Sequence, residues 1–282
     1  MSGNEFVLEM RNISKEFPGV KALDDVTLQV RPGSVHALVG ENGAGKSTLM
    51  KCAFGIYQAD AGEIVLEGNP VTFADTRQAL DAGIAMIQQE LLPVPQRSVM
   101  ENFWLGRYPE KRYGVVRIVD DRKMYADCKA VFNDLGMDID PATKVMNLSA
   151  SKIQSMEIAQ AVSYNSRVII MDEPTSSLTE NEVQHLFSII RKLRSQGVAV
   201  IYISHRIEEI LEISDEVTIM RDGRLVGTYE ASTLNNEFII SQMVGREIYE
   251  TAHIHGDTER EEVGLEVKGL NSGRKIQDVS FK

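Results

Sequence analysis

A glycine-rich segment constrains the fold of this 282-residue chain more than any other feature. It reads Gly40-Glu41-Asn42-Gly43-Ala44-Gly45-Lys46-Ser47 and fills every fixed position of the phosphate-loop pattern G-x-x-x-x-G-K-S. The mostly apolar residues 35–39 precede it like a buried strand, and residues 48–54 follow it as helix formers without proline. Such a turn directs backbone N–H groups at one point beside a helix N-terminus, which favours an anion. A turn that binds nothing is the alternative, but the complete pattern and its flanks predict a nucleotide site.

Two side chains of this loop have predicted roles towards a nucleotide. The Lys46 ammonium is expected to reach the β- and γ-phosphates, and the Ser47 hydroxyl is expected to ligate Mg²⁺. The other residues predicted to bind the nucleotide here are Gly40, Glu41, Asn42, Gly43, Ala44, Gly45 and Thr48.

Composition restricts the class of function. The formal net charge is −11, and because nucleic-acid surfaces need basic patches, no nucleic-acid partner is expected. Cys52 and Cys128 lie far apart without a C-x-x-C motif, which favours a reducing cytoplasm. No apolar run approaches the roughly 20 residues of a membrane span, and no signal-peptide pattern is present. We therefore expect membrane association only through a partner.

Strand and helix patterns alternate along the chain, which predicts an α/β fold with a parallel sheet. Residues 6–35 alternate like strands joined by Pro-Gly turns, and residues 91–165 read mainly helical. Residues 168–171 and 198–203 are continuous apolar runs, typical of strands buried on both faces. Between them, residues 179–182 form a capping box that predicts the start of a helix. In such a sheet, ligands bind at the carboxyl ends of the strands.

Polar residues follow three of the predicted strands. Asp172 is placed to hold Mg²⁺ through water, and Glu173 is placed to polarise the attacking water. His205 follows the next strand, and Gln89 ends another, where its amide can reach Mg²⁺ and water. Taken singly, each of these residues could be an ordinary polar residue at the end of a strand, without a catalytic role. The phosphate loop in the same domain favours the catalytic interpretation.

The end of the chain repeats the pattern of its beginning. Residues 265–270 are similar to residues 8–13, and residues 275–281 are similar to residues 22–28. Chance similarity between amphipathic strands is the alternative, but we favour an internal repeat. The expected organisation is a domain at 1–248, a polar linker at 249–262 and the truncated start of a second copy at 263–282.

These motifs resemble those of the ATP-binding cassette (ABC) ATPases, over about residues 6–247. The phosphate loop corresponds to Walker A, residues 168–173 to Walker B, Gln89 to the Q-loop and His205 to the switch histidine. The resemblance implies a P-loop NTPase core with a parallel sheet, an N-terminal antiparallel β subdomain and an inserted helical subdomain over about 91–165. It also implies ATP and Mg²⁺ as cofactors.

The resemblance adds candidate residues outside the phosphate loop. Phe17 resembles the aromatic residue that stacks on adenine in this family, and Val20 is expected to back it. Gln89 joins Ser47 and Asp172 at the metal, while Glu173 and His205 serve hydrolysis.

Residues 148–152 occupy the place of the family signature LSGGQ, but they depart from it. Ala150 and Ser151 replace the two glycines, and Lys152 replaces the glutamine. Ser149 and Ser151 are still expected to contact the nucleotide of an opposite domain. Side chains at positions 150 and 151 oppose the close backbone approach that glycine allows.

Three stretches, residues 17–23, 170–179 and 243–248, resemble the ABC subunits of bacterial monosaccharide importers. Residues 94–100 and 104–109 are most similar to importers of galactose and methyl galactosides. The resemblance implies integral-membrane permease subunits, a periplasmic sugar-binding protein as an indirect partner and a second cassette in the same polypeptide. It places the chain on the cytoplasmic face of the bacterial inner membrane as a peripheral subunit.

Several other functions stay open from the sequence. Ribose or xylose is an alternative sugar. A non-transport ABC ATPase of translation or DNA repair would need a basic surface, which an acidic chain does not favour. A GTPase would need an Asn-Lys-x-Asp base reader, which is absent from the sequence. A nucleotide-binding regulator with little turnover is compatible with the altered signature.

Overall fold

The computed structural model describes residues 5–88, 93–113, 115–245, 264–272 and 276–282. The chain divides into two compact units, Met1–Arg246 and Glu247–Lys282, which are described separately. No helix in the described ranges is long and apolar enough to span a membrane.

A six-stranded sheet forms the centre of the first unit, with strand order β12-β11-β3-β10-β9-β6. Its strands are β3 (Val35–Val39), β6 (Ile84–Ile87), β9 (Val168–Asp172), β10 (Ala199–Ile203), β11 (Glu216–Arg221) and β12 (Arg224–Glu230). All neighbours pair in parallel except β11 and β12, which form an antiparallel hairpin. The predicted parallel sheet is therefore present, and its carboxyl ends share one edge.

A second, antiparallel sheet has the strand order β2-β1-β4-β5. It contains β1 (Leu8–Phe17), β2 (Val20–Val30), β4 (Ala61–Leu66) and β5 (Asn69–Val71). Pro18 and Gly19 form the turn between β1 and β2, as their sequence predicts. This sheet is the N-terminal β subdomain that the sequence predicts.

Helices cover both faces of the central sheet and fill the inserted segment. They are α1 (Lys46–Ala53), α2 (Thr76–Asp81), α3 (Val99–Phe103), α4 (Asp121–Asp134), α5 (Ala150–Val162), α6 (Glu180–Ser195), α7 (Ile207–Ile213) and α8 (Asn236–Val244). Two short 3₁₀ helices span Val145–Asn147 and Ala231–Thr233. The capping box forms as predicted, because Glu182 accepts hydrogen bonds from the Thr179 backbone N–H and hydroxyl at 2.8 Å.

Residues 91–165, which the sequence predicts to be mainly helical, also contain two short strands. Between α3 and α4 lies an antiparallel hairpin of β7 (Glu110–Tyr113) and β8 (Val116–Val119). Residues 116–119 alternate valine and isoleucine with arginine, and β-branched residues favour extended backbone. Strand β8 is short and exposed, so its pattern is too weak to be distinguished from the helical pattern of the flanking residues.

The strands of the central sheet send alternate side chains into two different cores. Val200 and Tyr202 of β10 pack with α5 and α6, whereas Ile201 and Ile203 pack with α1 and the antiparallel sheet. This alternation follows from the two-residue repeat of a strand. Burial on both faces explains why the strands read as continuous apolar runs.

The second unit contains an antiparallel hairpin of β13 (Val267–Ser272) and β14 (Ile276–Phe281). Its register pairs Val267 with Phe281 and Leu270 with Val279. The predicted linker, residues 249–262, lies outside the described residues. The division into domains at 1–248 and 263–282 stays a prediction.

Candidate functional site

A cavity of about 840 Å³ lies where β3, β9, β10 and β11 end at the carboxyl edge of the central sheet. Its size is in the range of small-molecule sites, about 300–1,000 Å³. Most of the residues predicted to act on a nucleotide meet here. The lining residues are Val20, Lys21, Ala22, Asn42, Gly43, Ala44, Gly45, Lys46, Ser47, Thr48, Asp172, Glu173, His205, Asp222 and Gly223.

The phosphate loop runs from the end of β3 to the start of α1. Gly45 has φ +98°, in the left-handed region that L side chains rarely adopt. A Cβ there would lie 2.6 Å from the Ala22 carbonyl oxygen, so only glycine fits. Because Gly45 has no side chain, it cannot cap α1. The N–H groups in the first turn of α1 can therefore donate hydrogen bonds to an anion.

Backbone carbonyl groups of the phosphate loop hold the Lys46 side chain in place. Its Nζ donates to the carbonyl oxygens of Gly40 at 2.7 Å and Glu41 at 2.9 Å. Burial lowers the pKa of Lys46, and the carboxylates of Asp172 and Glu173 act in the opposite direction. A partly desolvated cation in this position attracts a phosphate more strongly than one in water.

Asp172 and Ser47 lie together at the floor of the cavity. Burial raises the pKa of Asp172, while a hydrogen bond from the Ser47 hydroxyl to the carboxylate lowers it. In the described ranges no three His, Cys, Asp or Glu side chains cluster as a complete metal site. One carboxylate and one hydroxyl nevertheless fit Mg²⁺, which usually takes one or two carboxylates and completes its shell with phosphate oxygens and water.

Glu173 and His205 face each other across the ends of neighbouring strands. The His205 Nδ1 atom lies 3.3 Å from Glu173 Oε1. Glu173 has φ +50°, which is uncommon for a residue with a side chain, and its N–H donates to the Ile203 carbonyl at 2.9 Å. Backbone strain of this kind costs about 1–3 kcal/mol and is concentrated at functional sites.

The structure does not bring every predicted residue to the cavity. Val20 lines it, but Phe17 packs edge-on against Tyr57 with ring centroids 5.2 Å apart. The Lys15 ammonium lies 5.5 Å from the Phe17 ring centroid. Gln89 lies outside the described residues. The adenine role of Phe17 and the metal role of Gln89 stay predictions.

Residues of the altered signature lie at the N-terminus of α5 and do not line the cavity. Ser149 caps α5, because its Oγ accepts a hydrogen bond from the Lys152 N–H at 3.3 Å. Ser149 Oγ also lies 3.0 Å from Ser151 Oγ. Ser149 is exposed, so its predicted contact with a nucleotide needs another domain.

Sequence reasoning missed four lining residues: Lys21, Ala22, Asp222 and Gly223. The Gly223 N–H donates to the Ala44 carbonyl at 3.2 Å, and its own carbonyl accepts from the Asp24 N–H at 2.8 Å. The β11–β12 turn therefore joins the phosphate loop to β2. The Asp-Gly pair is a recognisable hairpin turn, but nothing local shows that it lies beside the phosphate loop.

Residues 23–176 match the family model described as ABC transporter. The chain is 58% identical over 284 residues to the galactose/methyl galactoside import ATP-binding protein of Clostridium tetani, covering 100% of this chain and 56% of that protein. It is 55% identical over 281 residues to the protein of the same description from Salmonella typhimurium, covering 98% and 54%. The chain thus spans about half the length of these relatives.

Two solved structures share the fold. One is an ATP-binding cassette of an ABC transporter in its ADP conformation, with a TM-score of 0.73, 25% identity and coverage of 86% of this chain and 99% of that one. The other is a nucleotide-free ATP-binding cassette from an ABC transporter, with a TM-score of 0.72, 25% identity and coverage of 85% and 95%. The predicted P-loop core, antiparallel β subdomain and inserted helical segment are confirmed.

Proposed function

This chain belongs to the ABC transporter family, and from that premise we propose that it hydrolyses ATP with Mg²⁺ to energise import of a monosaccharide. One observation carries the proposal. Residues far apart in the sequence surround a single cavity, namely Lys46, Ser47, Asp172, Glu173 and His205.

In the proposed reaction, the first turn of α1 and Lys46 bind the phosphates. Ser47 and Asp172 would hold Mg²⁺, and the bound ion would supply positive charge beside the phosphates. The Glu173 carboxylate accepts a hydrogen bond from the attacking water and orients it in line with the γ-phosphate. The His205 Nδ1 atom lies 3.3 Å from Glu173 Oε1 and keeps the Glu173 carboxylate in place.

The sugar is proposed to be galactose or a methyl galactoside. Support comes from relatives 54–58% identical that are described as importers of these sugars. The proposed partners are integral-membrane permease subunits, with a periplasmic sugar-binding protein acting on them. The chain would then sit as a peripheral subunit on the cytoplasmic face of the inner membrane. Nothing in its acidic composition favours a nucleic-acid partner.

A second cassette in the same polypeptide is part of the proposal, and the terminal hairpin supports it. Val267 pairs with Phe281 as Met10 pairs with Leu28, and Leu270 pairs with Val279 as Ile13 pairs with Val26. The irregularities also agree. Asn12 and Asp25 have φ +53° and +57°, and Gly269 and Asp278, at the matching positions, have φ +57° and +50°.

Side-chain hydrogen bonds repeat with the register. The Asn12 N–H donates to Thr27 Oγ1 at 3.0 Å, and the Gly269 N–H donates to Ser280 Oγ at 2.9 Å. The Asp25 N–H donates to a Ser14 hydroxyl at 3.0 Å, and the Asp278 N–H donates to an Asn271 side-chain oxygen at 2.9 Å. Matched bulges and matched hydrogen bonds favour an internal repeat over chance similarity of two amphipathic strands.

The terminal hairpin also exposes side chains that its counterpart buries. In β1 and β2 the matching side chains are at most 1% exposed, whereas here they are 40–63% exposed. We propose that a second cassette covers them, since a lone hairpin is marginally stable in water. The exposed residues are Leu265, Leu270, Val279 and Phe281.

The experiment is transport and hydrolysis by this chain in its full-length polypeptide, assembled with its permease in vesicles. Glu173→Gln should keep ATP binding and reduce turnover by about 100-fold or more, because loss of a positioned base costs roughly 10²–10⁴-fold. Glu208→Gln, which changes an exposed carboxylate of α7 that does not line the cavity, is the control. Equal turnover in the wild type and the Glu173 variant would contradict the proposed role of Glu173 in hydrolysis. Uptake of ribose or xylose instead of galactose would contradict the proposed sugar.

A further inference from the structure

A buried carboxylate behind the cavity gathers hydrogen bonds from both catalytic loops. Glu209, in α7, is 6% exposed. Its Oε2 atom accepts from the Tyr202 hydroxyl at 2.8 Å, the Thr175 hydroxyl at 2.9 Å and the Ser204 hydroxyl at 3.2 Å. Burying a carboxylate is costly unless it is paired and hydrogen-bonded, so this arrangement depends on all of its donors.

Arg206 completes the cluster. Its guanidinium forms an ion pair with Glu209 Oε1, and the Arg206 backbone N–H donates to the Ser204 hydroxyl at 3.0 Å. Burial and the Glu209 carboxylate raise the pKa of Tyr202, which keeps the phenol protonated as a donor. The hydroxyls of Tyr202, Thr175 and Ser204 therefore all donate to the Glu209 carboxylate.

Two of the hydroxyl groups that donate to Glu209 belong to residues close in sequence to the proposed catalytic residues. Thr175 lies two residues after Glu173, in the loop that follows β9. Ser204 immediately precedes His205, in the loop that follows β10. The same β9 loop is bound from the other side, because the buried Gln154 of α5 donates to the Pro174 carbonyl.

We propose that Glu209 is a positioning residue that fastens the loops after β9 and β10 to each other, and so sets Glu173 opposite His205. The inference rests on the proposed ATPase function but concerns a residue outside the cavity. The β9–β10 ladder ends with Ile203 beside Asp172, and the Glu173 N–H to Ile203 carbonyl bond adds one contact where the two loops begin. Beyond these contacts, Glu209 joins the two loops to each other through Thr175 and Ser204.

The test uses variants that remove the link without changing shape. Glu209→Gln replaces one acceptor oxygen by an N–H₂ group, which faces donors that it cannot satisfy. Thr175→Val removes one hydroxyl at nearly constant volume. The controls are Glu216→Gln and Thr218→Val, because Glu216 is also an ion-paired carboxylate and Thr218 is also a buried threonine, but both lie in β11 away from this cluster.

Hydrogen exchange of the 282-residue chain measures the link directly. In Glu209→Gln and Thr175→Val, the amides of Ser176, Leu178 and Arg206 should exchange roughly tenfold faster or more, while β3 amides stay as in the wild type. The control variants should leave these three amides unchanged. Equal exchange in test and control variants would overturn the proposal, whether or not the protein hydrolyses ATP.

Kinetics in the full-length polypeptide separate positioning from stability. ATP affinity should stay within about twofold, while kcat should fall about 10- to 100-fold, since small misplacements of reacting groups have effects of this size. Loss of kcat in proportion to the unfolded fraction, or equal loss in the controls, would also overturn it. A wild type without any ATPase activity would instead contradict the proposed function, and the exchange result would still decide the link.

Discussion

Partial burial shifts the pKa values of the charged side chains Lys46 and Asp172 in the cavity. The Lys46 ammonium is held by two carbonyl oxygens and lies near two carboxylates, so it is fixed in place before any nucleotide arrives. Asp172 is buried beside the Ser47 hydroxyl, a pair that suits a metal ion which neutralises the carboxylate. Preorganisation of this kind lowers the entropic cost of binding.

Replacing Lys46 by alanine should weaken ATP binding roughly 10- to 100-fold, because hydrogen bonds to charged groups contribute about 1.5–3 kcal/mol. Calorimetric titration of the 282-residue chain measures the change. Lys51→Ala, in the same helix but outside the cavity, is the matched control. Unchanged affinity in the Lys46 variant would remove this residue from the proposed phosphate site.

Glu216 makes the stability of the fold depend on pH. The buried His36 ring and the Arg31 guanidinium lower the pKa of Glu216 to about 2, against an ordinary value of 4.5. A carboxylate with a lowered pKa stabilises the folded state above its unfolded pKa. This contribution is lost as the pH falls from about 4.5 towards 2.

We therefore expect Glu216→Gln to lower the free energy of unfolding at pH 7 by on the order of 1–3 kcal/mol. The difference from the wild type should shrink as the pH falls below 4.5 and be largely lost at about pH 2. Urea unfolding across this range measures it. The control Glu63→Gln removes an exposed ion pair with Arg11 and should cost less than about 1 kcal/mol. A constant difference across all pH values would refute the linkage.

At the scale of elements, the start of α5 is the part that departs most from its family pattern. Ala150 and Ser151 place side chains where the family signature has glycines, and Lys152 Nζ donates to the Asp138 carbonyl at 3.3 Å. The N-terminus of α5 is capped by Ser149 itself. A capped helix start with side chains at 150 and 151 offers less room to a phosphate than a glycine-rich one.

Replacing Ala150, Ser151 and Lys152 by Gly, Gly and Gln should raise the ATPase rate of the 282-residue chain at high protein concentration. The physical reason is closer backbone approach to the γ-phosphate of a second copy. Steady-state phosphate release over a series of protein concentrations measures it. The control carries the same triple change together with Glu173→Gln and should show no gain. An unchanged rate in the triple variant would show that the signature is not what limits turnover.

At the scale of the whole molecule, two unequal nucleotide sites are expected. A site in this family pairs the phosphate loop of one cassette with the signature of another. The loop of this domain, Gly40–Ser47, would meet the signature of the second cassette and hydrolyse ATP. The opposite site, completed by Ser149 and Ser151, would bind nucleotide with little turnover.

It follows that the 282-residue chain, which can pair only with itself, should bind ATP but hydrolyse it at least about tenfold more slowly than the full-length polypeptide, as an altered transition-state contact requires. Turnover at saturating ATP, compared at equal numbers of Walker A sites, measures the difference. Equal rates would rule out the two-site arrangement. A loss of ATP binding in the shorter chain would contradict it as well.

The sequence by itself determined the features that depend on neighbouring residues. The phosphate loop, the carboxylates Asp172 and Glu173 at a strand end and the capping box at Thr179 all follow from local backbone preferences. Continuous apolar runs also identified β9 and β10, because a strand covered on both faces has no polar side. The order of apolar residues also led to the prediction of a terminal repeat, residues 265–270 with 8–13 and 275–281 with 22–28.

Only the tertiary structure decided which distant segments meet. The pairing of β11 with β3 brings Asp222 and Gly223 to the cavity, and strand order is set by packing and not by local pattern. Packing also turned Phe17 against Tyr57 and gathered Thr175, Tyr202 and Ser204 around Glu209. These contacts join residues far apart in the chain, whose association becomes favourable only when the whole core is buried.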